Sequence, residues 1–257
     1  MFMNRLSIKD VEKYVENNIQ SFHTKRLEGL EIDDIKKLLK RKNPYLFKVK
    51  NIDNANDVVR GILDAHISSS EETKFGDWLE GLAIYICGKV YGGQKSSSEG
   101  IDLEFSKDGV RYLVNIKSGP NWANSSQINK MVESFKAAKK TLSTSGAKVN
   151  VEFINGCCYG KSGNSLLKGY YYKYCGQKFW EFISGDRDLY TKLIEPLGKK
   201  AKERNEEFMD KYNALLNKLT RQFIDEFCDE QGKIDWNKIV KLNSADGRGI
   251  TYNKDSV

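Results

Sequence analysis

Asp102, Asn115 and Lys117 stand on two segments separated by an Asp108-Gly109 pair. Asp-Gly between alternating apolar runs is a two-residue hairpin signal. Counting outward from that turn pairs Lys107 with Val110, Phe105 with Tyr112, Leu103 with Val114 and Asp102 with Asn115. Side chains alternate faces with period two. The register therefore predicts one face of Ile101, Leu103, Phe105, Tyr112, Val114 and Ile116, and a second of Asp102, Glu104, Asn115 and Lys117. An acid, an amide and a lysine on one face suit a magnesium ion. That ion takes oxygen ligands and keeps several waters, so one or two carboxylates suffice. A lysine beside it can hold or help deprotonate a water that attacks phosphorus in line with the leaving oxygen. A solvated sheet surface has the same composition, so the wider chain has to separate the two readings.

The flanking segments change period. The first ninety residues read as helices: one through Val11, Tyr14, Val15 and Ile19, one near Ile32–Lys40, one over Ala55–His66, and a longer one over Glu71–Val90 after a break at Ser68-Ser69-Ser70. Gly100–Phe105 and Val110–Lys117 read as strands, and Ser118–Ser126 as a loop. Gln127–Leu142 follows as a helix, then Lys148–Ile154 and Gly169–Tyr174 as strands. Helix returns from Lys178, including a charged stretch from Pro196 to about Cys228, and the tail after Asn243 is polar. This order predicts an α/β fold with a mixed sheet flanked by helices and helical additions at both ends. It divides as 1–68 (a helical region for DNA contact or dimerisation), 69–185 (the core) and 186–257 (a helical region packed on the core).

Composition narrows the class. With 39% hydrophobic and 30% charged residues the chain is an ordinary globular protein. No run of apolar residues is long enough to span a membrane, and Met1–Lys9 lacks the apolar core of a leader. Cys87, Cys157, Cys158, Cys175 and Cys228 are odd in number and unpaired in spacing, which fits a reducing cytoplasm and core packing. Only His23 and His66 are present, far from the cysteines, so zinc is not expected. A net charge of +7 suits a polyanion partner without proving one.

Asp102, twelve intervening residues, then Asn115-Ile116-Lys117 resembles the PD-(D/E)xK nuclease motif. More specifically, the chain resembles type II restriction endonucleases. The segments that carry this are Lys42-Asn43-Pro44-Tyr45-Leu46-Phe47, Ser69-Ser70-Glu71-Glu72-Thr73-Lys74-Phe75-Gly76, Gly100-Ile101-Asp102-Leu103, Asn115-Ile116-Lys117-Ser118-Gly119-Pro120-Asn121-Trp122 and Gly176-Gln177-Lys178-Phe179-Trp180. The short motif is weak alone; these segments in this order are more specific. The resemblance implies a restriction-endonuclease-like core and a homodimer that binds a palindromic double-stranded DNA site. It also implies magnesium-dependent cutting of both strands in restriction–modification defence, with Asp102 and Lys117 as catalytic residues.

The motif calls for an acid where Asn115 stands. Three acids could replace it. Glu80 flanks the apolar stripe Phe75, Leu79, Leu82 and Ile86 beside Gly76, Ala83 and Cys87, so it ranks first as catalytic residue and metal ligand with Asp102 and Asn115. Glu104 shares the face of Asp102. Glu133 lies nearly opposite the stripe Ile128–Phe135 and ranks last. For DNA contact the sequence offers Ser118, Asn121, Trp122, Asn124, Ser125, Ser126 and Gln127, the last four also fitting a helix cap. Lys161 lies in Gly160-Lys161-Ser162-Gly163-Asn164, a polar loop without full Walker spacing. Lys36, Lys37, Lys40, Arg41 and Lys42 form a basic run that either tracks a DNA backbone or is simply solvated. The alternatives to a sequence-specific endonuclease are a structure- or damage-specific nuclease and an inactive DNA-binding protein on a nuclease fold.

Overall fold

The computed structural model describes residues 5–144, 150–163, 166–167, 169–199 and 201–246. Lys148, Asn164 and the tail from 247 lie outside the described residues. The helices are α1 (Ile8–Glu28), α2 (Ile35–Leu39), α3 (Pro44–Val49), α4 (Ala55–Tyr91), α5 (Ser125–Thr144), α6 (Gln177–Ser184), α7 (Leu189–Lys192), α8 (Ile194–Gly198), α9 (Ala201–Phe227) and α10 (Trp236–Ser244). The strands are β1 (Leu103–Lys107), β2 (Val110–Lys117), β3 (Asn150–Cys157), β4 (Leu166–Leu167) and β5 (Tyr171–Cys175). Contacts group the chain into two compact units, Met1–Lys25 with Glu72–Ala201 and Arg26–Glu71 with Lys202–Val257. The three consecutive segments read from the sequence divide the chain differently, because chain order does not report which distant helices pack together.

The first unit holds the sheet, in the order β1-β2-β3-β5-β4. β1 and β2 form the antiparallel hairpin, with Leu103 opposite Val114, Phe105 opposite Tyr112 and Lys107 opposite Val110. Asp108 and Gly109 both take positive φ, as this turn type requires. β2, β3 and β5 run parallel, which needs a crossover, and α5 supplies it between β2 and β3. The short β4 closes the far edge antiparallel to β5.

Both sheet faces are covered. On one, Leu103, Phe105, Val114, Ile116 and Ile154 pack with Leu79, Leu82, Ala83 and Ile86 of α4. On the other, Leu113, Phe153 and Tyr171 pack with Met131, Phe135 and Ala138 of α5. This is why Leu113 to Ile116 are buried without alternation: a parallel strand enclosed on both faces reads as a continuous apolar run. Each fully buried Leu or Ile contributes about 1.5–3 kcal/mol, so these two layers set the register. The second unit has its own core, including Ile35, Val59, Ile62, Leu63, Leu216, Leu219 and Phe223.

Several expectations need correction. Ile101 packs with Leu113 and Phe135 rather than on the α4 face. It precedes β1, and its N–H bonds Ser98 instead of the hairpin. Gly100 turns the chain there at φ +75. Ser68-Ser69-Ser70 does not break the helix, since α4 runs from Ala55 through to Tyr91. Three serines cost only a few tenths of a kcal/mol each, less than the buried apolar residues on either side return. The strands after α5 run later than expected, to Cys157 and Cys175, and β4 was not foreseen. The charged stretch after Pro196 is two helices, α8 and α9.

Gly156 lies where β3 passes the ring of Phe179, and a Cβ there would penetrate that ring. Gly156→Ala should therefore cost about 1–3 kcal/mol, as overpacked cores do. Urea unfolding checks this; an unchanged midpoint would show that Phe179 can move aside.

Candidate active site

The hairpin ladder ends with Leu103 opposite Val114, and side-chain hydrogen bonds then tie Asp102, just before β1, to Asn115. Asp102 donates its N–H to the Val114 carbonyl at 2.9 Å. Its Oδ2 accepts the Ile116 N–H at 2.6 Å and the Asn115 Nδ2 at 3.2 Å. Lys117 Nζ lies 4.0 Å from the same oxygen. Among the described residues no hydrogen bond falls on Oδ1, which keeps its lone pairs for another partner.

Glu80 joins this group from α4. Leu79, Leu82 and Ile86 are buried against the sheet, as the helical stripe predicts, and Glu80 is half-buried beside them. Burial raises the Glu80 carboxyl above its ordinary value, and the charge of Asp102 raises it further; Lys95 and Lys117 pull it back. Lys95 Nζ lies 3.7 Å from Glu80 Oε1. The helix comes close because Gly76 has no side chain; a Cβ there would lie 3.3 Å from that of Ser118. A carboxyl raised by burial and by the charge of Asp102 is a donor whose ionised form a divalent cation would favour. Among the described residues no group of three His, Cys, Asp or Glu gathers.

The other acids are placed elsewhere. Glu104 is consumed by Arg111 at 2.9 Å, Gln94 at 3.1 Å and Ser96 at 3.2 Å. Glu133 is exposed on α5. Asn115 is 5% exposed and acts as a donor: its Nδ2 also reaches the Gly100 carbonyl at 3.0 Å. Since both neighbours are acceptors, only the amide nitrogen can face them. Asn115 Oδ1 lies 3.5 Å from Asn155 Nδ2. Asn115 thus orients Asp102.

The loop after Lys117 opens on a cleft of about 540 Å³, lined by Ser118, Gly119, Asn121, Trp122 and Tyr159 together with Glu72, Thr73, Phe75 and Leu79. Trp122 places its ring 5.4 Å from Lys117 Nζ. Asn124 and Gln127 cap α5 reciprocally: the Gln127 N–H donates to Asn124 Oδ1 at 3.0 Å, and the Asn124 N–H to Gln127 Oε1 at 2.9 Å. Ser125 and Ser126 are exposed in its first turn, and Lys161 is exposed beyond β3. Lys36 pairs with Glu226, at 2.5 Å. Cys157, Cys158 and Cys175 are buried free thiols; burial pushes the Cys158 thiol up to about 12, which suits packing rather than chemistry.

Sequence reasoning missed Asn155, Lys173 and Tyr159. Asn155 stands opposite Asn115 on β2 and Lys173 on β5. The signal was an amide inside the apolar run Phe153–Cys158, which the expected strand end at Ile154 excluded.

Burial and the charge of Asp102 disfavour the ionised form of Glu80. A carboxyl raised in this way stabilises the fold below its ordinary range, and that contribution is lost as pH rises through the raised value. Above that range, Glu80→Gln should melt at or above wild type without metal and gain less on adding magnesium. Thermal melts with and without magnesium decide this. Equal magnesium stabilisation of both proteins would remove Glu80 from the metal site.

Among the described residues no helix is long and apolar enough to cross a membrane. A search of curated proteins found no match. A family model described as type II restriction endonuclease EcoO109I matches residues 9–205, a span that includes Glu80, Asp102, Lys117 and the cleft. The chain belongs to this family of restriction endonucleases, DNA-cleaving hydrolases whose chemistry the cluster at the end of the hairpin suits.

Proposed function

We propose that the protein is a magnesium-dependent, site-specific endonuclease that cuts both strands of DNA in restriction–modification defence, acting as a cytoplasmic homodimer. The observation that carries this reading is the convergence of Asp102, Lys117 and Glu80 at one end of the sheet. Asp102 and Glu80 would hold magnesium. When bound, the ion supplies positive charge against the phosphate and acidifies a water. Lys117 then holds that water and offsets phosphate charge. Asn115 keeps Asp102 in place through its amide nitrogen, so the charge that the motif's second acid would bring comes from α4. Ser118, Asn121 and Trp122 face the substrate from the cleft. Asn124, Ser125, Ser126 and Gln127 present the start of α5 to the backbone, where N–H groups attract phosphate, and Lys161 adds a neighbouring charge.

Plasmid cleavage with and without magnesium tests this, with Lys117→Ala alongside. Discrete bands that require both the ion and Lys117 are expected. Nicked circles alone would favour a structure- or damage-directed nuclease. A gel shift with no cutting under any condition would mean a DNA-binding protein on an inactive core.

A further inference from the structure

One polar row crosses the sheet beneath the cleft. Asn115, Asn155 and Lys173 occupy matched positions on β2, β3 and β5. Asn155 is 1% exposed in a strand whose other inner residues are apolar. A buried amide stabilises a fold less than a hydrophobe of its size would, unless its bonds do something else. Its bonds run in two directions. Nδ2 reaches the Asn115 carbonyl at 3.4 Å and Asn115 Oδ1 at 3.5 Å. Oδ1 accepts the indole N–H of Trp122 at 3.2 Å. Lys173 Nζ donates to the Pro120 carbonyl at 2.6 Å, a second tether on the same loop.

We propose that this row couples the loop 120–122 to Asp102, with Asn155 as the positioning residue at its centre. The inference rests on the reading that Asp102 and Lys117 cut DNA. Trp122 is held by its edge on Asn155, lines the cleft, and presents its ring to Lys117. Asn115 is held by the same Asn155 and donates to Asp102. DNA seated in the cleft therefore bears on a ring whose position is tied to both catalytic residues. A loop displaced by a poor fit would misplace Lys117 directly and Asp102 through Asn115.

The test uses Asn155→Ala, Trp122→Phe and the double variant of the full chain. Trp122→Phe keeps an aromatic ring but removes the N–H, so it cuts the tether without opening the core. Each single variant should lose roughly 10- to 100-fold in kcat on plasmid, as lost support for metal-site residues does, and Asn155→Ala should leave KM for DNA unchanged. The double variant should lose no more than either single one, because both break one link. Additive losses, or a wild-type kcat for Asn155→Ala, would overturn the coupling. Fluorescence judges the tether without metal or cutting. Subtracting the matching Trp122→Phe spectrum isolates Trp122, whose emission should move to longer wavelength when Asn155 is alanine. Unchanged Trp122 emission would overturn the proposal even if activity fell. If wild-type protein cuts nothing, the cleavage reading fails, while the fluorescence result still decides whether the tether exists.

Discussion

The site is built around a half-buried carboxyl group. Burial raises Glu80 above its ordinary value, and the charge of Asp102 raises it further. A carboxyl so placed favours its neutral form or a move toward water. Here neither carboxylate can easily leave. Asp102 is clamped by the Ile116 N–H, and Glu80 belongs to a helix whose Leu79, Leu82 and Ile86 are buried against the sheet. Core packing thus offsets a local electrostatic cost. The proposed cation would bind the folded state and not the unfolded one, which would link affinity for metal to stability of the fold.

That constraint explains how an amide can stand where an acid is expected. At position 115 the neighbours are the Gly100 carbonyl and Asp102 Oδ2, both acceptors. A carboxylate there would face two oxygens without a proton to share. Asn115 supplies two N–H donors and so adds no third negative charge to a place that already holds two. In the proposed site the acid comes from a different element, α4, and Asn115 serves as support for Asp102.

Much of this was legible from spacing. The Asp108-Gly109 turn sets the hairpin register, and that turn is local, so counting from it places Asp102 against Asn115. The half-buried place of Glu80 on α4 followed from helical phase, since the stripe it flanks is continuous over three turns. What could not be read depends on partners far away in the chain. Ile101 left its expected face because α5 covers the second side of the sheet, and nothing near Ile101 announces α5. The serines at 68–70 resemble a break only if the apolar residues on both sides are ignored. The alignment of Asn155 with Asn115 and Lys173 is a parallel register, fixed by a crossover and not by a turn. No short-range signal specifies it.

The same long-range register decides how the cleft is held. Gly119 has no room for a side chain against Tyr159, and a Cβ on Gly160 would lie 2.7 Å from Pro120. The backbone of residues 118–120 is therefore pressed against the start of the loop after β3, while the N–H of Tyr159 bonds the Ser118 carbonyl at 3.2 Å. Lys173 and Asn155 add their tethers from below. Tyr159 itself remains 61% exposed and faces the cleft. A loop fixed at this many points cannot reshape itself around whatever DNA arrives. On the proposed function, discrimination rests on whether DNA fits the loop, since misfit would strain a support shared with Asp102 and Lys117. In that reading, rigidity would turn recognition into permission to cut.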